Sequence, residues 1–154
     1  SWMGVSDRTW FYSGIAVVVI HQVLGTLVFR LQLVLSLFTK MFGKYDLTVW
    51  GLIFLPLLAL RPLITIAIGI ADYGSLGGSQ TILIILGVIL CIPAIYTLHS
   101  VMKYFGLPRA LGGDHFYQEY RDMPMVTKGA FRYSSNAMYS YVPLLLWSIA
   151  LISG

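Results

Sequence analysis

Long apolar stretches separated by short polar ones dominate the chain. A hydrocarbon core of ~30 Å takes about 20 helical residues to cross, and the stretches 10–38, 48–71, 81–102 and 137–154 qualify as crossings. The first is longer than a crossing needs, which predicts tilt or emergence at its end. Phe42-Gly-Lys-Tyr-Asp46 reads as an exposed turn, and Asp72-Tyr-Gly-Ser-Leu-Gly-Gly-Ser79 as a turn-forming loop without positive charge. Pro93 is expected to kink the third stretch. One long polar connection runs from Lys103 to about Asn136. The last stretch barely reaches across and has no polar anchor, so the chain is expected to continue past Gly154. The pattern predicts an all-α polytopic membrane protein of about four transmembrane helices, forming one domain without repeats.

Composition agrees: 58% of the residues are hydrophobic and only 10% charged, against roughly 25% charged in a soluble domain. Such a chain needs lipid as its solvent. Basic residues are uneven. Arg8 precedes the first stretch, none follows the second, Lys40 and Lys44 follow the first, and five (Lys103, Arg109, Arg121, Lys128, Arg132) follow the third. The positive-inside rule then places the 103–136 loop in the cytoplasm, with the chain in a bacterial inner membrane or an endomembrane. Acids interleaved in that loop (Asp114, Glu119, Asp122) argue against a nucleic-acid-binding stripe. A lone cysteine, Cys91, reads as a packing residue. Three histidines without ligand spacing and without a cysteine cluster predict no metal site.

Ionisable groups inside lipid are costly, so each asks for a reason. His21, Gly25 and Gln32 share one stripe of the first helix, expected to face other helices. That stripe suits either a substrate cleft or an interhelical hydrogen bond beside a small-residue contact. Arg61 lies near mid-span before Pro62, which lacks an N–H and frees a carbonyl four residues back. It suits an oxyanion ligand or a buried structural partner. His99 and Lys103, four apart, are expected to point from the third helix toward the polar loop. His21, Arg61 and His99 are thus candidates for a substrate cleft.

Two parts of the loop carry candidate chemistry. In the first, Gly112-Gly113-Asp114 looks like a turn with a helix N-cap at Asp114. A helix from there would set Asp114, Gln118 and Asp122 on one face and Phe116, Tyr117 and Tyr120 on the other, as in a helix lying on the membrane surface. Glycines before a helix start also suit an anionic ligand. The second part, Gly129-Ala-Phe-Arg-Tyr-Ser-Ser-Asn-Ala-Met-Tyr139, leads into the last stretch. By composition alone it could be an aromatic belt.

That second part resembles the signature of the integral membrane methyltransferases, which include the phospholipid (phosphatidylethanolamine) N-methyltransferases and the isoprenylcysteine carboxyl methyltransferases. Their pattern is roughly Gly-x-[Phe/Tyr]-Arg-x-x-Arg-[His/Asn]-Pro-x-Tyr, matched at Gly129, Phe131, Arg132, Asn136, Met138 and Tyr139. Asparagine followed by Met-Tyr leans toward the phospholipid branch. So does Leu111-Gly-Gly-Asp-His-Phe116, which is similar to that branch's Leu-Gly-Asp-Tyr-Phe region. The resemblance covers about residues 80–154. Ser135 and Ala137 stand where the family has arginine and proline, and its glutamate-rich motif has no counterpart after Asp122.

The resemblance implies S-adenosylmethionine as cofactor, with Gly112, Gly113, Gly129, Arg132, Asn136, Met138 and Tyr139 as its binding residues. Tyrosine faces such as Tyr133 and Tyr139 can hold a sulfonium by cation–π attraction. Arg132 and the Gly112-Gly113 turn suit the cofactor carboxylate. An amine acceptor must lose a proton, for which His115, Asp114 and Glu119 are the catalytic candidates, His115 first. The acceptor would be a lipid or isoprenoid-like amphiphile, most simply a phospholipid amine, entering from the bilayer. The departures from the pattern keep open a non-catalytic accessory subunit of a larger membrane complex with protein partners. A small transporter is a third reading, which no inverted repeat supports.

Overall fold

The computed structural model describes all residues from Ser1 to Gly154, and they form helices joined by turns, with no strand. Helix α1 spans Asp7–Leu35. Ser6 caps its start by accepting from the Thr9 N–H at 3.1 Å. Its end is marked by Ser36 in the left-handed region (φ 52°). There the Gln32 side chain accepts from the backbone N–H of Phe38 and Thr39 and donates to Thr39 Oγ1 at 2.7 Å. Gln32 thus holds the chain reversal, closing the short helix Leu37–Phe42 onto α1.

Helix α2 spans Asp46–Ala71 and contains Pro56 and Pro62. Asp46 sits in its first turn, where the exposed N–H groups favour negative charge. Helix α3 spans Gln80–Ser100 and runs on as a π turn, Val101–Phe105, ending at Gly106 (φ 88°). Pro93 removes one α3 donor, while Thr97 Oγ1 donates to the Pro93 carbonyl (2.7 Å) and Ser100 Oγ to that of Tyr96 (2.9 Å). Helix α4 spans Leu144–Ser153. A single helical turn, Ala137–Ser140, precedes it, and the chain breaks between them at Tyr141–Pro143. Its ten residues extend about 15 Å, half of a hydrocarbon core. Three helices are therefore long and apolar enough to cross a membrane, and the fourth apolar element is shorter.

Close contacts fall at small residues, the usual device where lipid supplies no hydrophobic drive between helices. A Cβ on Gly87 of α3 would lie 2.6 Å from Ile152 and 3.0 Å from the Ser148 carbonyl of α4. Ser148 Oγ donates to the Gly87 carbonyl at 2.6 Å. Gly69 of α2 meets Ser153 of α4 in the same way, and Gly14 of α1 meets Ile64 and Ile68 of α2. Helix α4 thus wedges between α2 and α3. Only 22 of 154 residues are buried, and Leu52, Leu63, Ile82 and Ile92 are among many large aliphatics facing outward. The outer surface is apolar, as a polytopic membrane protein requires.

The ends of the bundle differ. At one, backbone hydrogen bonds tie Gly74 to Ser153 and Leu76 to Gly154. At the other, the 106–136 loop folds over α1, α2 and α3. Trp50 Nε1, fully buried, donates to the Leu111 carbonyl at 3.0 Å.

The loop corrects one expectation. No continuous surface helix runs from Asp114 to Asp122. The chain makes a 3₁₀ turn at Gly113–His115 and a single helical turn at Gln118–Arg121. Gly112 (φ 86°), not Asp114, stands at the cap position. Tyr117 between them is extended (φ −126°, ψ 134°). Its hydroxyl donates to Asp46 of α2, and that reach across the bundle interrupts the helical path. Gln118 and Asp122 do share a face, with Gln118 Nε2 donating to Asp122 Oδ1 at 2.9 Å.

Candidate functional site

The loop end encloses a cavity of about 430 Å³. Its membrane side is apolar, formed by Phe29 of α1 and Phe54 of α2. Its second wall is the Gly112–His115 turn, which presents Gly112, Asp114 and His115. The third is the approach to α4, with Ser135, Asn136, Met138 and Tyr139. Phe105 and Phe131, stacked at 5.5 Å, line it from below, and Arg109, Tyr120 and Arg121 from the loop.

His115 is the best-held polar group. Its ring stacks on Phe29 at 4.3 Å between centroids. Its Nδ1 lies 3.1 Å from Asp114 Oδ1 and 3.3 Å from the Gly112 carbonyl. With both acceptors on Nδ1, that nitrogen carries the proton of the neutral ring, and Nε2 is left as the free acceptor. Arg109 lies over the Phe105 ring at 4.7 Å and donates to the carbonyls of Met123 and Pro124. It therefore staples the far side of the loop while lining the cavity.

The glycines have packing reasons. A Cβ on Gly112 would run into the Phe29 ring, and one on Gly113 would lie 2.7 Å from the Pro108 carbonyl. Gly129 (φ 61°) lies against Ser100, whose Oγ accepts from the Ala130 N–H at 2.9 Å. Gly113 and Gly129 thus shape the loop without lining the cavity.

The sequence candidates separate accordingly. Asp114, His115, Gly112, Asn136, Met138 and Tyr139 come together on one cavity. Glu119, Arg132 and His99 are exposed and lie off it. Helix α3 meets the loop through Thr97, Ser100 and Val101, all buried, so His99 takes a different face from the one expected. His21 is buried against Phe54 at 5.1 Å, and Arg61 lines a separate cavity between α1 and α2. These three do not form one cleft. The stripe of His21, Gly25 and Gln32 is buried as expected.

Several cavity residues carry no functional signal in the sequence. Phe29 and Phe54 look like ordinary lipid-facing residues, and Arg109 and Arg121 like topology signals in a basic loop. Tyr120 reads in the sequence as part of the membrane-facing side of a surface helix. Only the fold brings them to the cavity.

No individual curated protein and no solved structure shows significant similarity to the chain. A family model does match: residues 82–154 fit that of the phospholipid methyltransferases. The match begins in α3 and takes in the Gly112–His115 turn and the Ser135–Tyr139 wall, while Phe29 and Phe54 are contributed from outside it. Over residues 82–154 the chain is thus similar to the phospholipid methyltransferases, consistent with the membrane methyltransferase family.

Proposed function

We propose that the chain is an S-adenosylmethionine-dependent methyltransferase acting on the amine of a membrane phospholipid, with the loop-end cavity on the cytoplasmic side as its active site. The observation that carries the reading is the Asp114–His115 pair on the wall of a cavity that also holds Asn136, Met138 and Tyr139.

The residues suit the cofactor. A volume of about 430 Å³ falls within the 300–1,000 Å³ of small-molecule sites. Arg121 and Arg109 offer cationic donors to a carboxylate, Asn136 a donor and an acceptor, and the Tyr120 and Tyr139 rings electron-rich faces for a sulfonium. Arg121 and Arg109 also bring positive charge to the cavity where Ser135 replaces the family's arginine. When bound, S-adenosylmethionine supplies an already activated methyl group.

The protein's share of the work is alignment and proton removal. Phe29 and Phe54 give the acceptor's chains an apolar approach, leaving the amine at the polar wall. His115 Nε2 takes the amine proton as general base. Asp114 holds the Nδ1 proton and orients the ring. Phe29 keeps the imidazole plane fixed by stacking. Asp114 is the one acid lining the cavity.

The test is transfer of labelled methyl from S-adenosylmethionine to phosphatidylethanolamine in vesicles containing the purified chain. The reading expects turnover that falls 10²–10⁴-fold in His115→Phe, as loss of a general base does, with cofactor binding retained. Absence of turnover in the unsubstituted chain, together with absence of cofactor binding, would favour the accessory-subunit reading that the Ser135 and Ala137 departures support.

A further inference from the structure

Arg61 and the cavity it lines are not used by the site at the loop end. Arg61 lies near the middle of α2, and its Nε is buried without a hydrogen-bond partner. The chain has six acids, Asp7, Asp46, Asp72, Asp114, Glu119 and Asp122. Asp46 and Asp72 bracket α2, about 22 Å and 16 Å from Arg61 along the helix at 1.5 Å per residue. Asp7 opens α1, and the other three belong to the opposite, loop end. No acidic side chain of residues 1–154 therefore reaches Arg61. The nearby buried polar group of α1, His21, is itself unpartnered at Nδ1 and supplies no negative charge.

The guanidinium lines a lipid-facing cavity of about 300 Å³. Phe11, Gly14 and Val18 of α1 form one side, and Ile64 and Ile68 of α2 the other. The spacings of three and four on both helices describe a valley running along the bundle from the far end to mid-depth, with Arg61 at its inner limit. Such a valley accepts the ridge of a third helix, and charges inside membranes pair with one another.

We propose that the α1–α2 valley is the docking site for a transmembrane helix of another protein that carries a carboxylate at mid-depth, which pairs with Arg61. The acids of residues 1–154 in a second copy do not fill the role, because they all lie at or beyond the ends of the spans. A phospholipid is disfavoured by depth: its charged headgroup belongs at the bilayer boundary. A helix anchored at both faces holds its side chain at mid-depth with the backbone already satisfied. The inference is independent of the chemistry at the loop end.

The test uses the full chain in phosphatidylcholine vesicles at pH 8 with a leucine-rich transmembrane peptide carrying one central glutamate, association being read by energy transfer between labels. The glutamate peptide is expected to associate at least tenfold more strongly than its glutamine counterpart, and Arg61→Leu is expected to abolish the difference. Val18→Trp, a change on the exposed wall of the valley, is expected to block association with Arg61 in place, which covers any folding defect of Arg61→Leu. Equal association of the two peptides would overturn the proposal. So would a glutamate preference that survives Arg61→Leu. So would displacement of the peptide by added anionic lipid through an Arg61-dependent contact, which would make the lipid the occupant.

Discussion

The hydroxyl of Tyr117 donates a hydrogen bond to the carboxylate of Asp46, 71 residues earlier in the chain. Asp46 is fully buried at the start of α2 and also accepts from Thr39 Oγ1 at 2.5 Å and from the Leu47 N–H at 2.6 Å. One carboxylate thus joins the α1–α2 connection, the first turn of α2 and the loop that carries the cavity. It also ties the part of the chain that matches the family model, residues 82–154, to the helices that precede it.

This contact has a pH signature. The hydrogen bond to Asp46, with burial and the nearby negative charge adding to it, pushes the Tyr117 hydroxyl from 10.0 up to about 12. The folded state then holds the proton more tightly than the unfolded state. The stabilisation is complete below pH 10 and is lost as pH rises toward 12, because the unfolded chain releases its proton first. Thermal unfolding in detergent from pH 8 to pH 12 is expected to show a drop in midpoint across that window, and the drop is expected to be smaller in Tyr117→Phe.

At neutral pH, Asp46→Ala is expected to cost more than Tyr117→Phe. The aspartate substitution removes the acceptor of three hydrogen bonds, from Tyr117, Thr39 and the Leu47 N–H, each bond contributing about 0.5–1.5 kcal/mol. Tyr117→Phe removes one donor to a carboxylate that keeps two others. Midpoints from chemical or thermal unfolding, with loop proteolysis as a second readout, decide the order.

Trp50→Phe is expected to destabilise by about 1–3 kcal/mol, since the buried Leu111 carbonyl loses its donor. The Gly112–His115 turn follows Leu111 directly. Faster amide exchange at residues 111–116 in the variant would show that Trp50 anchors the turn, and unchanged exchange would show that it does not.

Gly87→Val is expected to part α3 from α4. A Cβ there already meets Ile152 and the Ser148 carbonyl, and overpacking of this kind costs about 1–3 kcal/mol. The backbone carbonyl cannot swing away as a side chain can. Retention of the parent melting temperature would contradict the packing described for α4.

Much of this organisation was legible in the sequence, and the failures have physical causes. Hydrophobic length marked the membrane helices, and polar residues in register marked the buried stripe of His21, Gly25 and Gln32. The Asn136–Tyr139 stretch drew attention through its motif. Asp46 read as part of an exposed turn and Tyr117 as part of a surface helix, because nothing local signals a pairing 71 residues apart. The same pairing explains why the expected helix after Asp114 is interrupted. His99 was placed by its spacing to Lys103, but the face of α3 that meets the loop was set by the small polar residues Thr97 and Ser100. Phe29 and Phe54 carry no sequence signal of a cavity wall, since an aromatic residue in a span reads equally well as lipid-facing.

The central claim is that the loop-end cavity holds the methyl donor between the His115 turn and the Asn136–Tyr139 wall. Calorimetric titration of S-adenosylmethionine into the detergent-purified chain tests it most directly, with Tyr139→Ala and Asn136→Ala alongside. The account predicts saturable binding to the unsubstituted chain that weakens at least tenfold in each variant. Saturable binding unaffected by both substitutions would place the donor elsewhere and contradict the site described.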